Sequence, residues 1–311
     1  MSTLPNFLII GAQKAGTSSI YQYTREHPDV YMSEVKEPEF FALEGREVNH
    51  RGPDGCTPNE NDRKYTDLKT YQRLFDNVDG ETAVGEASTL YLYSPRAPER
   101  IHQYVPDAKL IAILRNPVER AYSAFLMAKR SGNEPLSFAE ALGAEEERIE
   151  NDFGYLWRYK DFGRYHEQLR RYLEYFDRDQ MRIFLLEDLK ENSAAVMEEI
   201  YQFLGADPSY TPNLEYQHNP GGVPRSKTIQ SVLKSEGTML RDLLKAILPK
   251  RVRRWARHTL QESNLHKPPL DPALRRRLIE EFRDEILNLQ TLIDRDLSHW
   301  LEGPKERTTQ T

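Results

Sequence analysis

The chain has 311 residues, and its 43 Lys and Arg against 49 Asp and Glu leave a formal net charge of −6. With 38% hydrophobic and 30% charged residues, it can bury a sizeable core under a heavily solvated surface, as one large domain or two small ones. This composition excludes a disordered tail and a membrane protein, and the acidic balance disfavours a nucleic-acid partner.

The sequence also predicts where the protein resides. Its longest apolar runs, residues 7–10 and 110–114, are far shorter than the roughly 18 residues of a transmembrane helix. The N-terminus lacks the basic and apolar regions of a secretion signal. The single cysteine, Cys56, excludes an intrachain disulfide and a cysteine zinc cluster, as is typical of a reducing compartment. We therefore expect a cytoplasmic protein without a transmembrane segment.

Strands and helices alternate along the first two thirds of the chain. Short apolar runs predict four strands, at residues 6–11, 82–86, 109–115 and 181–187. Amphipathic stretches predict helices at 17–27, from about 94, from 117, at 160–176 and at 194–204. This alternation predicts an α/β fold, in which a central parallel β-sheet is flanked by helices on both faces.

Two stretches contain too many loop-forming residues for a helix or a strand, 44–66 and 212–227. We expect the first to be a long surface loop. From about residue 226 onward the pattern is helical. Because no linker divides the chain, we expect a single domain over residues 1–311, with a core over about 6–235 and a helical extension over about 236–302.

The first predicted strand leads into a glycine-containing loop, GAQKAGTS at 11–18, and a helix follows directly. In such a unit the backbone N–H groups of the loop and the N-terminus of the helix point towards the same place, and this geometry binds phosphate. The nucleoside-triphosphatase loop reads GxxxxGK[ST], but here Lys14 lies inside the loop and Thr17 occupies the lysine position. The alternative is a glycine turn without a ligand, which the flanking strand and helix disfavour.

A second motif, RNPVERAYS at 115–123, begins at the carboxyl end of a predicted strand, where open α/β sheets bind ligands. Pro117 takes the first helical position, so Ser123 lies about two turns along the helix. We expect Arg115 and Ser123 to face one anion; the alternative is an Arg115 ion pair and an exposed Ser123. A cation at the usual position of the magnesium ligand favours a ligand that is bound without metal.

Three segments together resemble one family: residues 7–19, KEPEFF at 36–41 and LRNPVERAYS at 114–123. They are similar to the sulfotransferases that use 3′-phosphoadenylyl sulfate (PAPS), and their pattern follows the bacterial and heparan-sulfate-type branch. The resemblance spans roughly residues 6–235 and implies a P-loop-like fold. It also implies transfer of a sulfuryl group from PAPS to a hydroxyl or amine, release of adenosine 3′,5′-bisphosphate, and no required metal.

The resemblance assigns the first loop to the 5′-phosphosulfate and the second motif to the 3′-phosphate. It implies that Lys14 contacts the oxygen that bridges phosphate and sulfate. The donors around the 5′-phosphate match the rest of the loop, namely Ala15, Gly16, Thr17, Ser18 and Ser19. Arg115 and Ser123 match the 3′-phosphate ligands. In the later basic loop at 221–227, Arg225 matches a further phosphate contact, and Lys227 is a weaker candidate.

The same resemblance implies the catalytic groups. Glu37 matches the catalytic base of the heparan branch, where a carboxylate accepts the proton of the acceptor. Without the resemblance, residues 36–39 would be interpreted as a solvated charge cluster. Arg96 lies where that branch has a lysine near the transferred group. It keeps the positive charge, but on a planar guanidinium group in place of an ammonium group.

Two departures concern the acceptor and the base. Glu39 replaces a histidine that some heparan enzymes carry, which weakens the inference of a sugar acceptor. The cytosolic branch of the family uses a histidine base, for which His166 is the fallback among eight histidines.

Several alternatives remain open. The chain is interpreted as a sulfotransferase, with a nucleoside-triphosphate-dependent kinase-like enzyme or a non-catalytic nucleotide-binding module as the alternatives. The acceptor is a small molecule, a glycan or a lipid. The segment 245–258 carries six Lys and Arg and no acidic residue, and it indicates either recruitment of an anionic acceptor or membrane surface, or a solvated helical face.

Overall fold

The computed structural model describes residues 3–47, 52, 65–214, 223–224 and 265–303. Its centre is a five-stranded sheet in the order β2-β3-β1-β4-β5, and all four neighbouring pairs run parallel. The strands are β1 Phe7–Gly11, β2 Val30–Met32, β3 Ala83–Ala87, β4 Lys109–Leu114 and β5 Met181–Leu185. Helices flank this sheet, which confirms the predicted α/β fold.

The first six described α-helices lie between β1 and Ser131. These are α1 Thr17–Arg25, α2 Phe40–Leu43, α3 Leu68–Gln72, α4 Leu90–Tyr93, α5 Ala97–Tyr104 and α6 Pro117–Ser131. The next six are α7 Phe138–Gly143, α8 Glu145–Glu150, α9 Tyr165–Tyr172, α10 Leu186–Glu191, α11 Ser193–Leu204 and α12 Pro272–Ile293. Two short strands, β6 Val223–Pro224 and β7 Leu265–His266, pair antiparallel.

Burial explains which strands the sequence reveals. All five residues of β1 are buried, as are all but the first of β4. Strands covered on both faces are continuous apolar runs, and this is why both were predictable. The edge strand β2 was missed because it has only three residues and Tyr31 at its centre is only half-buried.

Several predicted element boundaries were wrong. The helix predicted at 160–176 covers only Tyr165–Tyr172, and a 3₁₀ turn at Asp161–Gly163 precedes it. The helical pattern predicted from about residue 226 is interrupted by β7 at Leu265–His266. The helix expected from about 94 begins at Ala97, because Ser94 is extended before Pro95 (ψ 123°) and separates α5 from α4. The strand expected to reach Glu187 ends at Leu185. There the Asp188 carboxylate accepts the Leu185 N–H at 2.9 Å and starts α10.

The C-terminal helix α12 contributes to the same hydrophobic core as the sheet. Its buried residues recur every three or four positions and face α6 and α9: Leu278, Ile279, Phe282, Ile286, Leu289 and Ile293. A Cβ on Gly163 would lie 3.1 Å from the Phe282 ring, so this glycine permits close packing of α12. None of the described helices is long and apolar enough to cross a membrane.

Several predictions concern residues outside those that the structure describes. They are most of the loop predicted at 44–66, most of the irregular stretch at 212–227 with Arg225 and Lys227, and the basic segment 245–258.

Candidate active site

The loop between β1 and α1 needs glycine at two positions. Gly11 and Gly16 have φ of +152° and +106°, values that disfavour any residue with a side chain. A Cβ on Gly11 would lie 2.8 Å from the Leu92 Cβ, and one on Gly16 would lie 3.0 Å from the Leu186 Cδ1. Gly16, which has no side chain, occupies the N-cap position directly before α1. The loop therefore presents backbone donors at a helix N-terminus.

Lys14 projects from this loop against α6, where its Nζ lies 3.6 Å from the Met127 Sδ. Burial lowers the pKa of Lys14 to about 8, while the Glu37 carboxylate acts in the opposite direction. Three guanidinium groups lower the pKa of Lys14 further, those of Arg130, Arg115 and Arg120. The site concentrates positive charge that an anionic ligand would neutralise.

The two sequence motifs meet at Arg115. Its Nη1 donates to the backbone carbonyl of Lys14 at 3.0 Å, and its Nη2 lies 3.6 Å from the Glu119 Oε2. Burial lowers the pKa of Arg115. Ser123 follows on α6 and is half-buried. The structure thus joins the strand-end arginine to the glycine loop, with Ser123 about two turns along the helix.

Glu119 links this site to the C-terminal part of the chain. Its carboxylate accepts from Lys267 Nζ at 2.6 Å and from Arg275 Nη2. Burial opposes ionisation of this carboxyl group, but the hydrogen bonds and charges of Lys267 and Arg275 hold the pKa of Glu119 at about 2. Glu119 is therefore a permanent anion among three cations at neutral pH.

Glu37 lies beside the turn between β3 and α4. Its Oε2 accepts from the Thr89 Oγ1 at 2.7 Å, and its Oε1 accepts from the Lys36 Nζ at 2.7 Å. The Glu37 side chain is 28% exposed, so a ligand can reach it. A carboxylate held in this way can accept a proton from a bound hydroxyl or amine.

This arrangement agrees with the comparison against known families. The family model of the sulfotransferase domain matches residues 4–219 of this chain. The chain belongs to the sulfotransferase family. It is therefore a transferase enzyme, as the motifs predicted.

The names of two relatives of this sulfotransferase refer to heparan sulfate and to carbohydrate. A bifunctional heparan sulfate N-deacetylase/N-sulfotransferase 3 from Homo sapiens is 32% identical over 215 residues, covering 67% of this chain and 23% of that protein. Carbohydrate sulfotransferase 15 from Homo sapiens is 29% identical over 249 residues, covering 66% of this chain and 44% of that protein. The chain thus spans less than half the length of either relative.

A solved structure matches almost the whole of this sulfotransferase. The crystal structure of a sulfotransferase from Alicyclobacillus acidocaldarius is 33% identical and superimposes with a TM-score of 0.74. The match covers 96% of this chain and all of that chain. The match therefore extends beyond the residues 4–219 that the family model covers.

Two predicted site residues, Arg96 and His166, make no described contact with Lys14 or Glu37. Arg96 is exposed at the start of α5, and the pKa of the neighbouring Arg100 is lowered by burial and, to a smaller extent, by the charge of Arg96. The backbone N–H of His166 donates to Glu285 on α12. Arg225 lies outside the described residues, but the strand that ends just before it, β6, packs against α6.

Sequence reasoning missed two buried charged side chains at this sulfotransferase site. Arg120 is fully buried on α6, where its Nη2 donates to the Tyr159 carbonyl, and its Nε and Nη1 have no partner among the described residues. Glu86 is fully buried in β3. The available signal was a charge inside an apolar element: Glu86 ends a predicted strand, and Arg120 lies in RNPVERAYS.

Proposed function

We propose that this sulfotransferase uses PAPS as donor, transfers its sulfuryl group to a hydroxyl or amine, and releases adenosine 3′,5′-bisphosphate. The observation that carries the proposal is the Arg115 Nη1 bond to the Lys14 carbonyl at 3.0 Å. It makes one cationic site from two anion-binding motifs. PAPS carries phosphate groups on two sides of one ribose and so requires two adjacent anion subsites.

In this proposal, the loop holds the 5′-phosphosulfate. Lys14 and the loop donors Ala15, Gly16, Thr17, Ser18 and Ser19 surround it at the N-terminus of α1, where the helix dipole favours an anion. Arg115 and Ser123 take the 3′-phosphate, and Arg225 adds a further cation. Support comes from the cationic field of the loop, since neighbouring guanidinium groups already lower the pKa of Lys14.

The transfer step then needs one base and one group that stabilises the leaving oxygen. The acceptor oxygen or nitrogen forms a bond to sulfur as the bond between sulfur and the 5′-phosphate oxygen breaks. Glu37 takes the acceptor proton, and the electron pair of the broken bond stays on the phosphate oxygen, where Lys14 faces the new charge. Arg96, exposed and cationic, is the candidate for contact with the sulfuryl group during transfer.

A glycan is the acceptor class to test first. The relatives' names include heparan sulfate and carbohydrate, and an N-sulfotransferase acts on an amine. A small molecule and a lipid are the other classes that we retain. In each case Glu37 performs the same proton transfer.

The experiment combines two measurements on the purified protein. Calorimetry compares adenosine 3′,5′-bisphosphate with ATP plus magnesium, and ³⁵S-labelled PAPS is incubated with glycans that carry free hydroxyls and amines. We expect tighter binding of the bisphosphate and transfer of label. Preference for ATP plus magnesium would instead support a kinase-like enzyme. Bisphosphate binding without acceptor-dependent release of bisphosphate, in a screen extended to lipids and small molecules, would support a non-catalytic module.

A further inference from the structure

Glu86 is a buried carboxyl group that the proposed mechanism does not use. It is 0% exposed, and three hydroxyl groups donate to it. Its Oε1 accepts from Tyr91 at 2.6 Å and from Tyr71 at 3.2 Å, and its Oε2 accepts from Ser88 at 2.9 Å. Burial raises the pKa of Glu86 to about 7, against the effect of these hydrogen bonds. Glu86 therefore changes its charge near neutral pH.

Hydrogen bonds connect Glu86 to the segment that carries Glu37. Because the Ser88 hydroxyl gives its proton to Glu86, its lone pair is free to accept the Glu39 N–H, at 2.9 Å. The next residue, Thr89, donates from Oγ1 to the Glu37 Oε2 at 2.7 Å. The turn at 88–89 therefore holds both ends of the segment Glu37-Pro38-Glu39.

The same turn is attached to the phosphate loop. The Ser88 N–H donates to the Ile9 carbonyl at 3.1 Å, and Ile9 lies in the strand that leads to Gly11. A change in the hydrogen bonding of Ser88 thus acts on the segment of the base, while β1 fixes the position of the turn itself.

The titratable groups around Glu86 come from three helices and from the loop between β2 and α2. Three are tyrosines whose pKa is raised well above the usual value by burial, so they are neutral at pH 7: Tyr71 of α3, Tyr91 of α4 and Tyr172 of α9. The fourth is Glu37, whose negative charge opposes ionisation of Glu86. Among these four groups, only Glu37 can affect Glu86 through a full charge at neutral pH.

We propose that Glu86 is a positioning residue for Glu37, acting through Ser88 and the backbone of Glu39. Ionised Glu86 accepts the Ser88 proton and so fixes the Ser88 lone pair on the Glu39 N–H, which holds the Glu37 carboxylate beside Thr89. Protonated Glu86 carries its own O–H donor and no longer fixes the Ser88 hydroxyl in this direction. The catalytic consequence rests on the proposed function, in which Glu37 is the base.

A measurement that needs no acceptor tests this connection. In ¹⁵N-labelled full-length protein, the Glu39 amide resonance should shift with pH, with a midpoint near the Glu86 pKa of about 7. Glu86→Gln should abolish this titration, because the amide does not ionise. Ser88→Ala should abolish it while Glu86 stays in place, which keeps the test informative if Glu86→Gln fails to fold.

Two further variants should move the midpoint of the Glu39 titration in a direction that a merely structural role of Glu86 does not predict. Tyr91→Phe and Tyr71→Phe each remove a donor that favours ionised Glu86, so each should move the midpoint to higher pH. The larger shift is expected for Tyr91, whose oxygen is 2.6 Å from Glu86 rather than 3.2 Å. The matched control is Glu145→Gln: Glu145 is also a buried carboxyl with a raised pKa, but it bonds the Lys160 and Asp161 N–H groups.

The catalytic readout follows once an acceptor is in hand. Glu86→Gln should lower kcat by about tenfold, on the scale of a small misplacement of a reacting group, and should leave the Kd of adenosine 3′,5′-bisphosphate unchanged. A Glu39 amide that does not titrate near pH 7, or that titrates equally in Glu86→Gln, would overturn the proposal. Failure of the wild-type protein to transfer label from PAPS would refute the proposed function alone, since the resonance titration does not depend on turnover.

Discussion

Arg115 donates from Nη1 to the backbone carbonyl of Lys14, 101 positions away in sequence and 3.0 Å away in the structure. The strands that lead to these two residues, β1 and β4, are parallel neighbours in the sheet. Their motifs form one site because both follow the carboxyl ends of their strands.

Lys14→Ala should lower the rate of sulfuryl transfer by about a hundredfold to a thousandfold, the scale of one donor to a developing charge. The measurement is kcat with labelled PAPS and an acceptor found in the screen. Lys129→Ala is the matched control, since the Lys129 Nζ bonds the Pro135 carbonyl at 2.9 Å on the far end of α6. Equal kcat in Lys14→Ala and wild type would remove Lys14 from the mechanism.

The affinity for adenosine 3′,5′-bisphosphate should depend on the protonation of Lys14. The pKa of Lys14 in the free protein is about 8, so its charged form dominates below that pH and is lost above it. Calorimetry should therefore show weaker binding as the pH rises through about 8, with proton uptake on binding near that pH. Lys14→Met should remove this part of the pH dependence, and its persistence in the variant would assign the titration to another group.

Glu37→Gln should abolish most turnover while the bisphosphate still binds. The amide keeps the shape that Thr89 contacts at 2.7 Å but cannot accept a proton from the acceptor. The control is Glu34→Gln, since the Glu34 side chain is 78% exposed three positions earlier. Loss of bisphosphate binding in Glu37→Gln would show that Glu37 supports the structure of the site and would contradict its role as base.

Glu119 should contribute stability that is lost in acid. Its folded pKa of about 2 lies below the ordinary value of 4.5, so this contribution is complete above about pH 4.5 and disappears as the pH falls towards 2. This contribution to the free energy of unfolding is about 2–3 kcal/mol, because the Glu119 side chain is only 23% exposed and solvent screens its charge little. Denaturant unfolding at several pH values should show this acid-dependent part in the wild type and lack it in Glu119→Gln. An unchanged acid dependence would contradict the account of this cluster.

Sequence patterns predicted the parts of the fold and site that are local. The strands β1 and β4, the start of α6 at Pro117 and the glycine loop between β1 and α1 all follow from apolar runs, proline and glycine within a few residues. The contact between Arg115 and Lys14 was predictable in outline because both follow strand ends in a parallel sheet.

What the sequence did not reveal depends on distant partners. The sequence analysis assigned no role to Glu119, because its pairing with Lys267 and Arg275 requires α12 and the segment before it to pack on α6. Glu86 looked like the polar end of a strand, and its environment of Tyr71 and Tyr91 arises only when α3 and α4 cover it. The roles of the site residues and a cytoplasmic location stay predictions.

The most direct test of the central claim, that one site binds both phosphates, is a thermodynamic cycle with two ligands and two proteins. Calorimetry measures adenosine 3′,5′-bisphosphate and adenosine 5′-monophosphate against wild type and Arg115→Ala. If Arg115 binds the 3′-phosphate, Arg115→Ala weakens the bisphosphate by about tenfold to a hundredfold, the scale of a charged hydrogen bond, and leaves the monophosphate nearly unchanged. Equal weakening of both ligands would contradict the account, because Arg115 would then act on the site without contacting the 3′-phosphate.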